Sequence, residues 1–116
     1  MRNGEAVDTS QLLKGVLDLA VLAVLADRDS YGYDVVRRLR ESGLSAVGDA
    51  SVYGTLRRLH KAGVLDSYAV ASGEGPHRKY YCLNGDGRTL LATSARAWSA
   101  IACALERLLD RRGARA

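Results

Sequence analysis

Cationic side chains collect on two short stretches, with Arg57, Arg58 and Lys61 on the first and Arg78 and Lys79 on the second. Guanidinium and ammonium groups grouped in this way hold phosphate, and a basic patch is the electrostatic footprint of a nucleic-acid-binding face. A plain solvated surface also carries such clusters, so the elements beneath the charges have to decide. Arg57, Arg58 and Lys61 lie between Asp49 and Ala62, where Val52, Leu56 and Leu59 repeat at helical spacing. Ala50, Gly54, Arg57 and Lys61 then face the other way, with Ser51 and Arg58 flanking on one side and Tyr53 on the other. Arg78 and Lys79 open a run with strand alternation that ends at Leu83. A first strand, Val64 to Ala71, precedes it, and the Gly73 to Pro76 linker exceeds a two-residue hairpin turn, which predicts a mobile tip. A basic helix followed by a basic-tipped hairpin has the form of a winged helix-turn-helix. There the helix meets base edges in the major groove and the wing grips the backbone.

Individual roles follow from chemistry. Arg57 suits either a bidentate contact to guanine or a phosphate, while Arg58 and Lys61 suit phosphate. Ser51 and the first amides of its helix also suit phosphate. Tyr53 has two readings: a hydroxyl or ring contact to the nucleic acid, or half-buried packing beside Val52. Gly54 either admits another backbone at close range or is a tolerated imperfection costing about 1 kcal/mol relative to alanine. This helix holds no Asn or Gln, which argues against a bidentate adenine contact. His60 and His77 occur without a nucleophile–base pair, a phosphate loop or a paired acidic motif, so no enzyme is expected.

The elements that must position these residues are mostly helical. Thr9 or Ser10 caps a helix running to about Ala26. It carries two apolar stripes: Leu13, Leu17, Ala20 and Val24, and Leu12, Val16, Leu19 and Ala23. A surface helix needs one stripe, so the second asks for a partner unless both pack in one core. Asp27 to Ser30 is a polar break with Ser30 as cap, and a helix from Tyr31 to Ser42 turns Val35, Val36 and Leu39 inward. Arg37, Arg38 and Arg40 then stand beside the proposed reader, and Gly43 stops the helix. Asp49 caps the reader helix and Gly63 ends it. Asn84 caps a last helix to about Arg111, whose Leu91, Ser94, Trp98, Ile101, Leu105 and Leu108 form a seam for a short helix-pair contact. Trp98 is the only tryptophan, and Ser94, Ala95, Ala97 and Ala102 leave space around it.

The 116 residues suggest one domain, and apolar residues concentrated in the first and last helices suggest a core completed by a second copy. The net charge of +4 is moderate. Cys82 and Cys103 fall in no metal-ligand or CxxC spacing, so reduced thiols and no metal or cofactor are expected. Met1 to Glu5 has no apolar core of a signal peptide, and Val16 to Ala26, broken by Asp18, is too short to span a bilayer. The expectation is a soluble, cytoplasmic protein without a membrane partner. Its parts are a flexible segment 1–9, a DNA-binding domain 10–83, a dimerisation helix 84–111 and a flexible tail 112–116.

Four stretches resemble the PadR family of bacterial transcriptional regulators. They are Leu12 to Leu19, Ser30 to Val35, Ser51 to Leu59 and Arg78 to Leu83, in that order, and the likeness spans residues 10–91. Gly54 stands where the family usually has proline, and Asn84 where it has threonine. The resemblance implies an α+β, mainly helical winged helix-turn-helix repressor that binds a palindromic operator in double-stranded DNA as a homodimer. It implies that Tyr53 is the recognition tyrosine, that Arg78 and Lys79 are the basic wing, and that the first and last helices dimerise. It also implies that Trp98 walls a pore at the dimer centre, opposite Leu12, Val16, Leu19 and Ala23 and beside Ser94 and Ala102. A small planar aromatic effector would stack there and relieve repression; the other reading of Trp98 is an indole that fills the dimer core with no cavity. Two alternatives stay open: a winged helix that binds protein, and a regulator with no effector.

Overall fold

A computed structural model describes residues 9–73 and 75–115. Among them the chain runs α1 (Ser10–Lys14), α2 (Leu17–Asp27), β1 (Ser30–Tyr31), α3 (Gly32–Glu41), α4 (Asp49–Lys61), β2 (Leu65–Val70), β3 (Arg78–Leu83) and α5 (Gly85–Arg115). The expected loose start, at residues 1–8, the tip residue Glu74 and Ala116 lie outside the described residues.

The expected single first helix is two pieces. Val16 leaves the helical region, with φ −121°, and the Gly15 and Val16 amides donate to carbonyls three residues back, at 3.3 and 3.0 Å. Glycine carries the largest backbone entropy cost in a helix, so Gly15 is a natural place for the break. The face that α2 buries also differs from expectation. Val21, Leu22 and Leu25 are 0%, 1% and 2% exposed, and of the two expected stripes only Leu17 is fully buried. A helix apolar on nearly every side offers no periodicity from which to choose a face, and packing makes the choice.

α3 and α4 carry clear single stripes. Val35, Val36 and Leu39 of α3 and Val52, Leu56 and Leu59 of α4 are buried together with α2. Gly43 and Gly63 end the two helices at φ +115° and +85°, a region that side chains with a Cβ avoid. Neither helix has the N-cap expected for it. Tyr31 occupies the cap of α3, while Ser30 sits buried in a strand and its hydroxyl accepts from Arg38 Nη1 at 2.6 Å. Gly48 occupies the cap of α4, and the Asp49 carboxylate accepts from Arg40 Nη2 at 2.8 Å.

The sheet is antiparallel in the order β1-β3-β2. β1 is an addition to the expected hairpin; two residues are too few to show alternation in sequence. Tyr81 pairs with Ser30 on one side and Ser67 on the other. Leu65, Tyr81 and Leu83 point into the core. Asn84 caps α5 as expected, accepting from the Gly87 amide at 2.9 Å, and its own Nδ2 donates to the Gly63 carbonyl at 2.9 Å. The start of α5 is thereby tied to the end of α4. α5 packs on α2 and continues past Arg111 to Arg115. No helix among the described residues is long and apolar enough to cross a membrane.

Two glycines respond oppositely to a methyl group. A Cβ on Gly54 meets only Arg57 Nη2, at 4.0 Å, so Gly54→Ala should stabilise the fold by about 1 kcal/mol through helix propensity. A Cβ on Gly87 overlaps the Val64 carbonyl oxygen and the Leu83 side chain, so Gly87→Ala should lower the denaturant midpoint. Urea unfolding of both variants checks the opposite signs.

Candidate nucleic-acid interface

Burial of one side of α4 decides what its other side presents. With Val52, Thr55, Leu56 and Leu59 inside, Ser51, Arg57, Arg58 and Lys61 are exposed, and Tyr53 and Gly54 are half-buried. The Tyr53 ring lies against Gly32 at the start of α3; any side chain at Gly32 would overlap it. The half-buried packing expected beside Val52 is thus directed at α3, and the glycine of the Tyr31-Gly32-Tyr33 run makes the room for the ring. On the wing, Arg78 and Lys79 are exposed. The Arg78 guanidinium sits 4.6 Å from the Tyr31 ring centre and Lys79 Nζ sits 5.3 Å from that of Tyr81. Cation–π contacts at this range orient a cation without neutralising it.

The basic cluster is smaller than the sequence suggests. Arg37 pairs with Asp34 and with Glu41. Arg38 is buried and donates to Ser30 Oγ, the Arg28 carbonyl and Asp27. Arg40 donates to the Val47 carbonyl and to Asp49. Arg38 and Arg40 hold α3 to its neighbours, while Arg37 is paired within α3 itself. Arg58 is also engaged, donating to both carboxylate oxygens of Asp18 on α2, at 3.0 and 2.5 Å. That pairing raises the Arg58 pKa, mainly through the hydrogen bond. Arg57, Lys61, Arg78 and Lys79 form no ion pair among the described residues.

The wing is braced from behind. Tyr68, Tyr80, Tyr31 and Tyr33 form a row across the sheet, with successive ring centres 5.7, 5.4 and 6.4 Å apart. Tyr68 donates to Asp29 at 2.5 Å, and that bond first, then desolvation, pushes its pKa up to about 12. His60 meets Ser67 Oγ at 3.3 Å and turns its ring edge-on to Tyr81, which joins α4 to the wing. The Cys82 thiol is pushed up by burial and by the charges of Asp29 and Asp66, so it stays protonated at neutral pH.

A second feature is an open apolar groove of about 700 Å³ between α1–α2 and α5. Leu12, Val16, Leu19, Ala23 and Trp98 line it, joined by Leu105 and Leu44. Ser94 and Ala102 do not line it; both are half-buried on α5. Trp98, Ile101, Leu105 and Leu108 keep 45–54% of their surface exposed.

At the start of α3, burial pushes the Asp34 carboxyl up, but hydrogen bonds from Arg37 and Ser30 and the charges of Arg37 and Arg28 outweigh it. The result lies below the ordinary 3.8. A depressed folded-state pKa adds stability at neutral pH that is lost as pH falls below the unfolded value. Melting temperature should therefore drop as pH is lowered through the range below 4, and Asp34→Asn should flatten part of that drop.

The model of the transcriptional regulator PadR-like family matches residues 21–93. A PadR-like transcriptional regulator from Bacillus cereus is 32% identical, with a TM-score of 0.77, over 86% of this chain and 97% of its own. A Streptococcus transcriptional regulator is 31% identical, with a TM-score of 0.75, over 85% and 97%. Bacillus subtilis PadR, solved in complex with operator DNA, is 23% identical; the likeness covers 69% of this chain and 46% of that one at a TM-score of 0.64, and concerns the fold. The helices and braced wing described above are thus a winged helix-turn-helix, and the chain belongs to the PadR-like family of transcriptional regulators.

Proposed function

We propose that this protein is a homodimeric, operator-binding repressor whose release is controlled by a flat hydrophobic ligand. Family members regulate transcription and are not enzymes. The observation that carries DNA binding is the exposed face of α4, with Ser51, Arg57 and Lys61 outward, packed in one core with the wing that bears Arg78 and Lys79. α4 enters the major groove, Arg57 reaches a guanine or a phosphate, and Lys61 takes phosphate. Tyr53 holds the start of α3 with its ring and offers its hydroxyl to the backbone, and Gly54 lets the helix approach closely. Arg78 and Lys79 grip the next stretch of backbone. The complex of Bacillus subtilis PadR with operator DNA supports this reading.

Binding of duplex DNA from upstream of the chain's own gene should weaken steeply with salt, each phosphate contact adding about −0.9 to the log–log slope. Lys61→Gln should make that slope shallower by about one contact. Arg57→Gln should do the same if the guanidinium holds phosphate. If it reads guanine, it should instead lose about 1–3 kcal/mol of preference for the operator over scrambled DNA. A flat salt dependence in an anisotropy titration refutes the proposal.

Dimerisation is supported by the exposed seam of α5 and by Leu12 and Ala23, which remain uncovered in one copy. Two copies pairing through α5 and α1–α2 close the groove and set the half-sites about one helical turn apart. A volume near 700 Å³ with an almost wholly apolar lining suits a drug-sized planar molecule. A ligand that favours one spacing of the two reader heads shifts the population away from the DNA-competent one. Trp98 is the only fluorophore of its kind, so planar aromatic compounds should quench it and Trp98→Ala should abolish their effect on DNA binding. Absence of quenching by a chemically broad panel reduces Trp98 to a packing role, and a monomer in sedimentation equilibrium refutes the dimer.

A further inference from the structure

The cleft between α1–α2 and α4 contains a cation not yet assigned to any role. It holds about 380 Å³, and Lys14, Asp18, Ser51, Gly54 and Arg58 are among its walls. Lys14 is exposed and forms no ion pair among the described residues. Opposite it, Arg58 is held by both oxygens of Asp18, although the side chains keep 60% and 47% of their surface exposed. Gly54 leaves this stretch of wall without a side chain, and Ser51 offers a hydroxyl at the rim.

From this geometry we infer that the cleft seats a backbone phosphate of the DNA, with Lys14 and Arg58 as its cations, and that Asp18 is a built-in competitor for Arg58. The inference rests on the DNA-binding reading of α4 and extends it to a residue of α1 and a residue of α2. The charge balance favours an anion: two cations face one carboxylate. An exposed ion pair is weak and readily exchanged, so an incoming phosphate can take over the Arg58 guanidinium. The phosphate must then lie close to the Asp18 carboxylate, and the repulsion between them lowers affinity. Asp18 sits on the helix that also carries Leu19 and Ala23 of the apolar groove.

The experiment is an anisotropy titration of the full chain with duplex DNA across a KCl series, with melting temperature measured for each variant. Asp18→Asn should tighten binding on the order of two- to fivefold and steepen the salt slope, because Arg58 no longer has an internal counterion. Lys14→Gln should weaken binding and make the slope shallower by about 0.9. Arg58→Gln should erase the gain conferred by Asp18→Asn. The inference is overturned if Lys14→Gln or Asp18→Asn leaves affinity and slope at parental values while Lys61→Gln still weakens binding. It is also overturned if Asp18→Asn weakens binding in step with a loss of thermal stability, which marks the pair as purely structural. If the parent shows no salt-dependent binding, the DNA-binding reading fails instead, and that outcome is distinct from the other two.

Discussion

The rotation of α4 about its own axis is set by the burial of Val52, Leu56 and Leu59 between α2 and α3. These side chains are 0%, 0% and 3% exposed, and each fully buried apolar side chain contributes about 1.5–3 kcal/mol. A turn of one residue position would bring Arg57 or Tyr53 toward the core and leave a leucine in water. That penalty outweighs the electrostatic gain available to any exposed cation, so packing decides which residues can reach a partner. Thr55 satisfies its hydroxyl on the Ser51 carbonyl at 2.8 Å, which lets a polar residue share the buried face.

Around this packed helix, electrostatics works by subtraction. Several arginines that look available in sequence are used to hold the scaffold. Arg38, nearly buried, is compensated by Ser30 Oγ, the Arg28 carbonyl and Asp27, which meets the general need of a buried charge for hydrogen-bonded partners. Arg40 ties the end of α3 to the loop and first residue of α4 through Val47 and Asp49. The same device, from Tyr68 to Asp29 and from His60 to Ser67, fastens the wing to the helical body. The relative placement of α4 and the wing is therefore a property of the core and these clamps.

α5 follows a different logic. Its inner side rests on α2 and its start is locked by Asn84, yet its apolar seam is left largely uncovered among the described residues. A single copy leaves this surface in water together with the open side of the groove. The hydrophobic cost falls on the same elements, α1–α2 and α5, that would meet a second copy.

Read from the amino-acid order, the strongly amphipathic elements were plain: α3, α4, the hairpin and the Asn84 cap each carry a local periodic or capping signal. So did the outward direction of Ser51, Arg57 and Lys61, because one buried stripe fixes the opposite face of a short helix. Three things depended on tertiary structure. The buried side of α2 was decided by packing, since Val21, Leu22 and Leu25 compete with equally apolar neighbours. The third strand was decided by pairing with β3, because Ser30 and Tyr31 are too short a run to announce themselves. The fate of the arginines was decided by contacts distant in sequence, such as Asp18 with Arg58, which no local pattern encodes. Periodicity records what one element does to its own sides; the pairing of charges and the choice among equal faces arise only when elements meet.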